Sequence, residues 1–115
     1  MRDVVVLGVG MTKFGKFMDK SLKDLARTAA WDAIQDAGIS PKEIESGYVA
    51  NAIGGVITGQ TMVTGEVVLR EVGITGIPVV NCENACASGS TALREAWMAI
   101  QAGYYDTAIV VGVEK

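Results

Sequence analysis

Cys86 is the residue whose type and position point most directly to chemistry. It follows a β-branched run that ends at Asn81 and stands at the start of a long apolar run over residues 85–102, so the pattern places it where a strand joins a helix. At such a junction, free backbone N–H groups and the helix dipole favour a negatively charged thiolate. Cys86 is therefore a candidate nucleophile. The alternative is a buried cysteine that acts as a small hydrophobic residue.

The neighbours of Cys86 are small or polar. Ser88 and Gly89 leave room for a substrate carbonyl to approach and for backbone donors to meet a developing oxyanion, so both are candidate substrate-binding residues. Asn84 is a third candidate, since it and Glu83 flank the nucleophile and have side chains that can polarise it. The same two side chains can instead serve the backbone of the turn, and the sequence leaves both interpretations open.

We expect a different role for Cys82, the second cysteine. It lies toward the end of the strand-like run with no helix terminus beside it, so we expect a buried structural thiol. The chain has no histidine, and its two cysteines supply only two of the four ligands that a structural zinc ion needs. We therefore expect no metal site and two free thiols in a reducing compartment.

The composition excludes several classes of partner. The chain has 115 residues, half of them apolar, which suits one domain with a real core. Its net charge is −3, with acidic and basic residues interleaved, so no basic stripe is available for nucleic acid. The apolar run near the start is too short to span a membrane and lacks the features of a secretory signal. We expect a cytoplasmic protein with no membrane partner.

The hydrophobic pattern alternates between strand-like and helix-like periods. Strands are predicted at residues 4–10, 48–53, 77–81 and 107–113. Helices are predicted at residues 22–37, 65–72 and 85–102, with a short turn from Ser40 and a glycine- and threonine-rich functional loop at 54–65. This order predicts an α/β protein of βαβαβαβ type, a layered α/β/α arrangement in which helices cover both faces of a parallel sheet.

The first helix has the clearest boundaries. Ser21 and Asp24 have the spacing of a capping box, and Gly38 stands where a left-handed stop is expected. By contrast, the last helix is apolar nearly all round, and the chain ends directly after the last predicted strand. Both features indicate a fragment or a subunit of a larger body, because such a helix is usually buried.

Gly8 and Gly10 follow the first apolar run and invite a dinucleotide-binding interpretation. That fingerprint needs a third glycine at position 13, where Lys13 stands. The mismatch favours a plain strand end and turn over a nucleotide site.

Residues 84–93 resemble the nucleophile segment of the thiolase superfamily, and most closely the branch of the sterol carrier protein thiolases and their bacterial and archaeal relatives. Supporting matches lie at residues 9–15, 36–39, 58–60 and 110–115. The resemblance covers essentially the whole chain. It implies that residues 1–115 are a thiolase-like amino-terminal domain whose carboxyl-terminal half is absent.

The resemblance implies a specific chemistry for Cys86. The thiol takes the acyl group of an acyl-CoA as a thioester, with its own backbone N–H as one oxyanion donor, and a second substrate then accepts the acyl group. The outcome is a Claisen condensation or thiolytic cleavage of a 3-oxoacyl-CoA. Coenzyme A thioesters are substrates here, and no cofactor is implied.

The loop at residues 54–65 resembles the family segment that approaches the active site and the dimer partner. Gln60 and Met62 are therefore candidate substrate-binding residues. A plain surface loop is the alternative. The family also implies a dimer, so we expect a homodimer or a complex with a chain that supplies the carboxyl-terminal half.

The chain departs from the family in one respect that affects catalysis. Thiolases pair the nucleophile with histidines and a second cysteine from the carboxyl-terminal half, and this chain has no histidine and no cysteine after Cys86. We expect the isolated chain to be inactive, because no residue can abstract the α-proton of a Claisen step. The alternatives are a non-catalytic thiolase-like binding or assembly subunit, a condensing enzyme of ketoacyl synthase type, and a retro-aldolase relative.

Overall fold

The sheet of this protein has a middle strand that is covered on both faces. A computed structural model describes residues 2–115. Strand β1 (Ser46–Ala50) pairs in parallel with β2 (Val79–Cys82) on one side and with β3 (Ala108–Gly112) on the other. Every residue of β1 is buried, as expected for a parallel strand between two helical layers.

Within residues 2–115, four α-helices and one short 3-10 helix (Pro41–Glu43) surround the sheet. The α-helices are α1 (Leu22–Ala37), α2 (Gly54–Thr58), α3 (Thr64–Arg70) and α4 (Ser88–Gln101). None of these helices is long and apolar enough to cross a membrane.

The core is divided by the sheet into two parts. Val49 of β1 packs in one cluster with residues of α1 and α3, whereas Tyr48 and Ala50 pack in the other with Ala92 and Ala96 of α4. This division follows from the alternation of side chains along a strand. The predicted α/β architecture, with helices on both faces of a parallel sheet, is confirmed.

The predicted boundaries of α1 are also confirmed. The hydroxyl of Ser21 accepts the backbone N–H of Asp24, and the carboxylate of Asp24 accepts the backbone N–H of Ser21 at 2.9 Å. The backbone hydrogen bond from Ser21 is the main cause that holds the pKa of Asp24 below its usual value. Gly38 ends the helix with a φ of 70°, a left-handed conformation that glycine adopts without strain.

The predicted first strand at residues 4–10 is wrong. No residue of this segment is in a strand, and the side chains of Val5, Val6 and Leu7 are exposed. Instead, the backbone N–H of Val9 donates to the carboxylate of Asp36 in α1 at 2.8 Å. The apolar, β-branched composition favours a strand only where another strand offers its backbone, and this segment lies beside a helix that offers none.

Other boundaries also differ from the prediction. The loop predicted at residues 54–65 contains α2, and α3 begins inside it at Thr64. The last helix starts at Ser88, three residues later than predicted, because residues 83–87 form a separate turn. The other three strands are present with shifted ends.

Candidate nucleophile site

Cys86 lies in the tight turn that connects β2 with α4. The residue before it, Ala85, has a φ of 50°, which is the left-handed region. This conformation costs a residue with a side chain about 1–2 kcal/mol. Such strain at a functional turn persists only when the surroundings hold the backbone in place.

The side chains of Ser88 and Glu83 hold this turn. The buried hydroxyl of Ser88 accepts the backbone N–H of Asn84 at 2.7 Å and donates to the carbonyl of Ala85 at 2.7 Å. The carboxylate of Glu83 accepts the backbone N–H of Ala85, also at 2.7 Å. Of the two interpretations left open for Glu83, the structure therefore supports service to the backbone of the turn.

Asn84 points its amide toward α4. Its side-chain nitrogen donates to the hydroxyl of Thr91 at 3.2 Å, and the same hydroxyl donates to the carbonyl of Ala87 at 2.8 Å. The amide therefore connects the turn with the first turn of the helix.

The thiol of Cys86 is exposed and lines a surface cavity of about 500 Å³. Ser88 and Gly89 line this cavity together with Cys86. A Cβ atom added to Gly89 would meet nothing within 4 Å, so the space beside the thiol is open. The structure thus brings together Cys86 and two of its predicted neighbours.

Another part of the cavity wall is formed by the segment after β1, which the sequence did not single out. The amide of Asn51 donates to the carbonyl of Val113 at 2.7 Å and to the carboxylate of Glu114 at 2.6 Å. That carboxylate also accepts the backbone N–H of Ala52 at 2.8 Å. Only the parallel pairing of β1 with β3 brings these residues together, and no local pattern reveals it.

Cys82 has a different environment. It is 7% exposed at the end of β2 and packs in the cluster against α4, so the predicted burial is confirmed. Burial raises the pKa of its thiol, and the negative charge of Glu95 raises it further. Within residues 2–115, no three cysteine, aspartate or glutamate side chains are grouped as metal ligands.

Gln60 and Met62 lie away from the cavity of Cys86. Gln60 lines a separate cavity of about 290 Å³ beside Cys82, and its side-chain amide donates to the carbonyl of Met62. The side chain of Met62 is exposed. Directly after Met62, Val63 has a φ of 50°, which marks this loop as a second strained segment.

Comparison with known proteins shows the family to which this chain belongs. Residues 4–115 match the family model described as thiolase, N-terminal domain. The chain belongs to the thiolase family. The predicted resemblance is therefore confirmed, and the turn with Cys86 and α4 lies within the matched part of the thiolase domain.

Relatives of this thiolase domain match it over nearly all of its length. An acetyl-CoA acetyltransferase of Methanothermobacter thermautotrophicus is 42% identical over 115 residues, which is 100% of this chain and 30% of that protein. Sterol carrier protein 2 of Gallus gallus is 38% identical over 116 residues, covering 99% of this chain and 20% of that protein. The thiolase domain thus spans less than a third of these relatives.

A solved structure shows the same fold. The acetyl-CoA acetyltransferase of Syntrophomonas wolfei superposes with a TM-score of 0.75 at 26% identity, covering 88% of this chain and 26% of that one. The parallel sheet with helices on both faces is therefore thiolase-like.

Proposed function

We propose that this thiolase domain is the amino-terminal part of an acyl-CoA acyltransferase that forms or cleaves 3-oxoacyl-CoA through an acyl-Cys86 intermediate. One observation carries the proposal: the thiol of Cys86 is exposed in a constrained turn and opens into a cavity. Relatives that match the whole chain have the name acetyl-CoA acetyltransferase, which supports acyl-CoA and CoA as the substrates.

In this proposal the thiolate of Cys86 attacks the carbonyl carbon of an acyl-CoA. A carbon–sulfur bond forms to Cys86, the bond to the sulfur of coenzyme A breaks, and the CoA thiolate leaves and takes up a proton. For synthesis, the acyl carbon then bonds to the α-carbon of a second acyl-CoA, which loses a proton to a base, and the bond to Cys86 breaks to restore the thiolate. For cleavage, the same thiolate attacks the 3-oxo carbon of a 3-oxoacyl-CoA, the bond between C2 and C3 breaks, and the departing acyl-CoA takes up a proton at C2. The thiol of CoA then accepts the acyl group, and the bond to Cys86 breaks. Covalent catalysis of this kind divides one difficult transfer into two easier steps. The reactive thiol requires a reducing compartment such as the cytoplasm.

The hydrogen bonds of the turn support Cys86 itself as an oxyanion donor. The backbone N–H groups of Asn84 and Ala85 donate to the side chains of Ser88 and Glu83. Those of Ala87 and Ser88 donate to carbonyls within the turn; their acceptors are Asn84 and Ala85. We propose that the N–H of Cys86 binds the oxyanion that develops on the substrate, because preorganised backbone donors stabilise such charge strongly.

A complete active site needs residues that this chain does not have. The chain has no histidine, the base that the resemblance to thiolases implies for a Claisen step, so we propose that a carboxyl-terminal half supplies it, in the same polypeptide or in a second chain. The exposed side chains of Leu93 and Trp97 on α4 support a covering partner, since exposed apolar surface of this kind marks interaction sites.

The direct test is acylation of the complete gene product by acetyl-CoA. After acid quenching, intact mass and peptide mapping should find one acetyl group, on the peptide with Cys86. The Cys86→Ala variant should lose the label, and the matched Cys82→Ala variant should keep it. An acetyl group on Cys82, or none on the wild-type protein, would overturn the proposal.

A non-catalytic assembly subunit is the second candidate, and the exposed apolar residues of α4 favour it to the same degree. Size-exclusion chromatography with light scattering separates the two candidates when it accompanies the acylation assay. Association without any acetyl-Cys86 supports the assembly subunit, whereas acetyl-Cys86 supports the enzyme.

A further inference from the structure

Glu114 lies just beyond β3 and lines the same cavity as Cys86. We infer that Glu114 is a positioning residue for the acylation of Cys86, because its carboxylate fixes residues 51–53, which form part of the wall of that cavity. The inference rests on the proposed function and deepens it. Glu114 acts on the reaction only through the backbone that it holds.

Three donors converge on this one carboxylate. The side-chain amide of Asn51 and the backbone N–H of Ala52 donate to Oε1 at 2.6 and 2.8 Å, and the N–H of Ile53 donates to Oε2 at 3.2 Å. Hydrogen bonds to an ionised carboxylate are stronger than neutral ones. Three of them therefore hold the segment after β1 in one position relative to the end of β3.

Besides the bond from the backbone N–H of Asn51 to the carbonyl of Cys82 at 3.1 Å, the segment depends on Glu114 and Val113 to fix it. Helix α2 starts directly after Ile53, which is its N-cap residue and makes no side-chain capping bond. Helices leave their first N–H groups without partners, and the carboxylate of Glu114 supplies the missing acceptor from 61 residues away. Asn51 adds a bond to the carbonyl of Val113, so the wall is tied to β3 at two points.

Loss of these bonds has a predictable effect on the cavity. Ala50, Ala52 and Ile53 line it together with Ala85 and Cys86. Without the carboxylate, the backbone N–H groups of Ala52 and Ile53 donate to water instead. The wall that they belong to then moves. An acyl-CoA carbonyl is then held less accurately against the thiol, whereas the exposed thiol itself is unchanged.

Glu45 provides a matched control at the other end of the same two strands. It lies directly before β1, and its carboxylate accepts the backbone N–H groups of Asp106 and Thr107, directly before β3, at 2.9 and 3.2 Å. Glu45 and Glu114 thus tie β1 to β3 in the same way at opposite ends. Glu45 does not line the cavity of Cys86, so its removal tests the structural contribution alone.

The experiment compares two reactions of Cys86 in the complete gene product. Acetylation by acetyl-CoA depends on the cavity wall, and alkylation by iodoacetamide depends only on the exposure and ionisation of the thiol. Glu114→Ala should slow acetylation about tenfold to a hundredfold, as expected for a misplaced substrate, and change alkylation by less than about twofold. Glu114→Gln should recover part of the acetylation rate, because an amide oxygen still accepts from Asn51 and Ala52.

The outcomes separate this inference from the proposed function. If the wild-type protein forms no acetyl-Cys86, the proposed function fails. If the wild-type protein is acetylated and Glu114→Ala is acetylated as fast, the role of Glu114 fails while the function stands. Equal slowing in Glu45→Ala and Glu114→Ala, or parallel slowing of both reactions, also overturns the positioning role, since a general loss of stability then explains the effect.

Discussion

The hydroxyl of Ser88 accepts the backbone N–H of Asn84 at 2.7 Å, across the turn that carries Cys86. The same hydroxyl donates to the carbonyl of Ala85, the residue with the left-handed backbone. One small, buried side chain therefore bonds to the backbone on both sides of the strained peptide. This relationship holds the turn that places Cys86 beside its cavity.

Replacing Ser88 with alanine should loosen this turn. The change leaves the N–H of Asn84 without its partner and should lower the free energy of unfolding by about 1–3 kcal/mol, measured by urea denaturation. The matched control is Ser90→Ala, whose exposed hydroxyl donates only to the carbonyl of Ala87 at 3.0 Å and which should cost less than about 0.5 kcal/mol. Equal costs for the two variants would contradict the role of Ser88.

The two cysteines should differ in their reaction with iodoacetamide. Cys86 is exposed and Cys82 is buried, and burial raises the pKa of the Cys82 thiol, so both the access of the reagent and the thiolate content are reduced at Cys82. Near neutral pH, peptide mapping should find Cys82 labelled at least about tenfold more slowly than Cys86. The opposite order would show that the turn does not expose its thiol.

The raised pKa of Cys82 also predicts a loss of stability at alkaline pH. The folded protein holds the thiol proton more tightly than the unfolded chain does, so this contribution is present below the ordinary pKa of 9.0 and is lost as pH rises through the folded pKa. The free energy of unfolding should therefore fall as the pH rises above the ordinary pKa of 9.0. Cys82→Ala should fall less steeply than the wild-type protein.

Cys86→Ala is the control for this pH dependence. It removes the exposed thiol and keeps the buried one, so its alkaline loss should match that of the wild-type protein. A curve for Cys82→Ala that is as steep as the wild-type curve would show that other groups cause the loss.

Gly89 lies in the first turn of α4 and lines the cavity of Cys86. A substitution there should therefore affect both the stability of the helix and the space beside the thiol. A Cβ atom at this position meets nothing within 4 Å, and alanine favours the helix by up to about 1 kcal/mol over glycine. Gly89→Ala should therefore raise the free energy of unfolding. It should also lower the rate of Cys86 acylation, and more so for longer acyl groups, because the methyl group projects into the cavity. If acyl groups of every length still acylated Cys86 at the wild-type rate, Gly89 would no longer be a candidate substrate-binding residue.

Local features of the fold were predictable from the sequence because neighbouring residues determine them. Ser21 and Asp24 form the predicted capping box, and Gly38 has the predicted left-handed conformation. The position of Cys86 between a strand and a helix was predictable for the same reason. Periodicity over a few residues contains the information needed for each of these features.

Features that depend on distant partners were not predictable. The apolar residues 4–10 have strand-like composition, yet their outcome depends on which element lies beside them. Helix α2 consists of residues typical of a loop, and the acceptor for the N–H of Ile53 at its start is Glu114. The parallel pairing of β1 with β3 places the carboxyl ends of the two strands side by side and so creates this contact. No residue spacing in the sequence indicates it.

A substitution at Gly10 tests the close contact that residues 8–10 make with α1. A Cβ atom on Gly10 would stand 2.3 Å from the carbonyl oxygen of Ala29 and 2.6 Å from the backbone nitrogen of Ala33. Helix backbone cannot move aside as a side chain can, so Gly10→Ala should push the segment off the helix and lower the free energy of unfolding by about 1–3 kcal/mol. Trypsin should then cleave more rapidly after Lys13.

Gly15→Ala is the matched control in the same segment, because its added Cβ atom would first meet the tip of the Phe17 ring at 3.3 Å. A ring can rotate away, so this variant should stay within about 0.5 kcal/mol of the wild-type protein. Gly10 would then serve close packing against α1. It would not serve a dinucleotide site, which the spacing from Gly8 invites and Lys13 disfavours. Equal stability and equal proteolysis of the two variants would show that the contact between Gly10 and α1 does not hold the segment in solution.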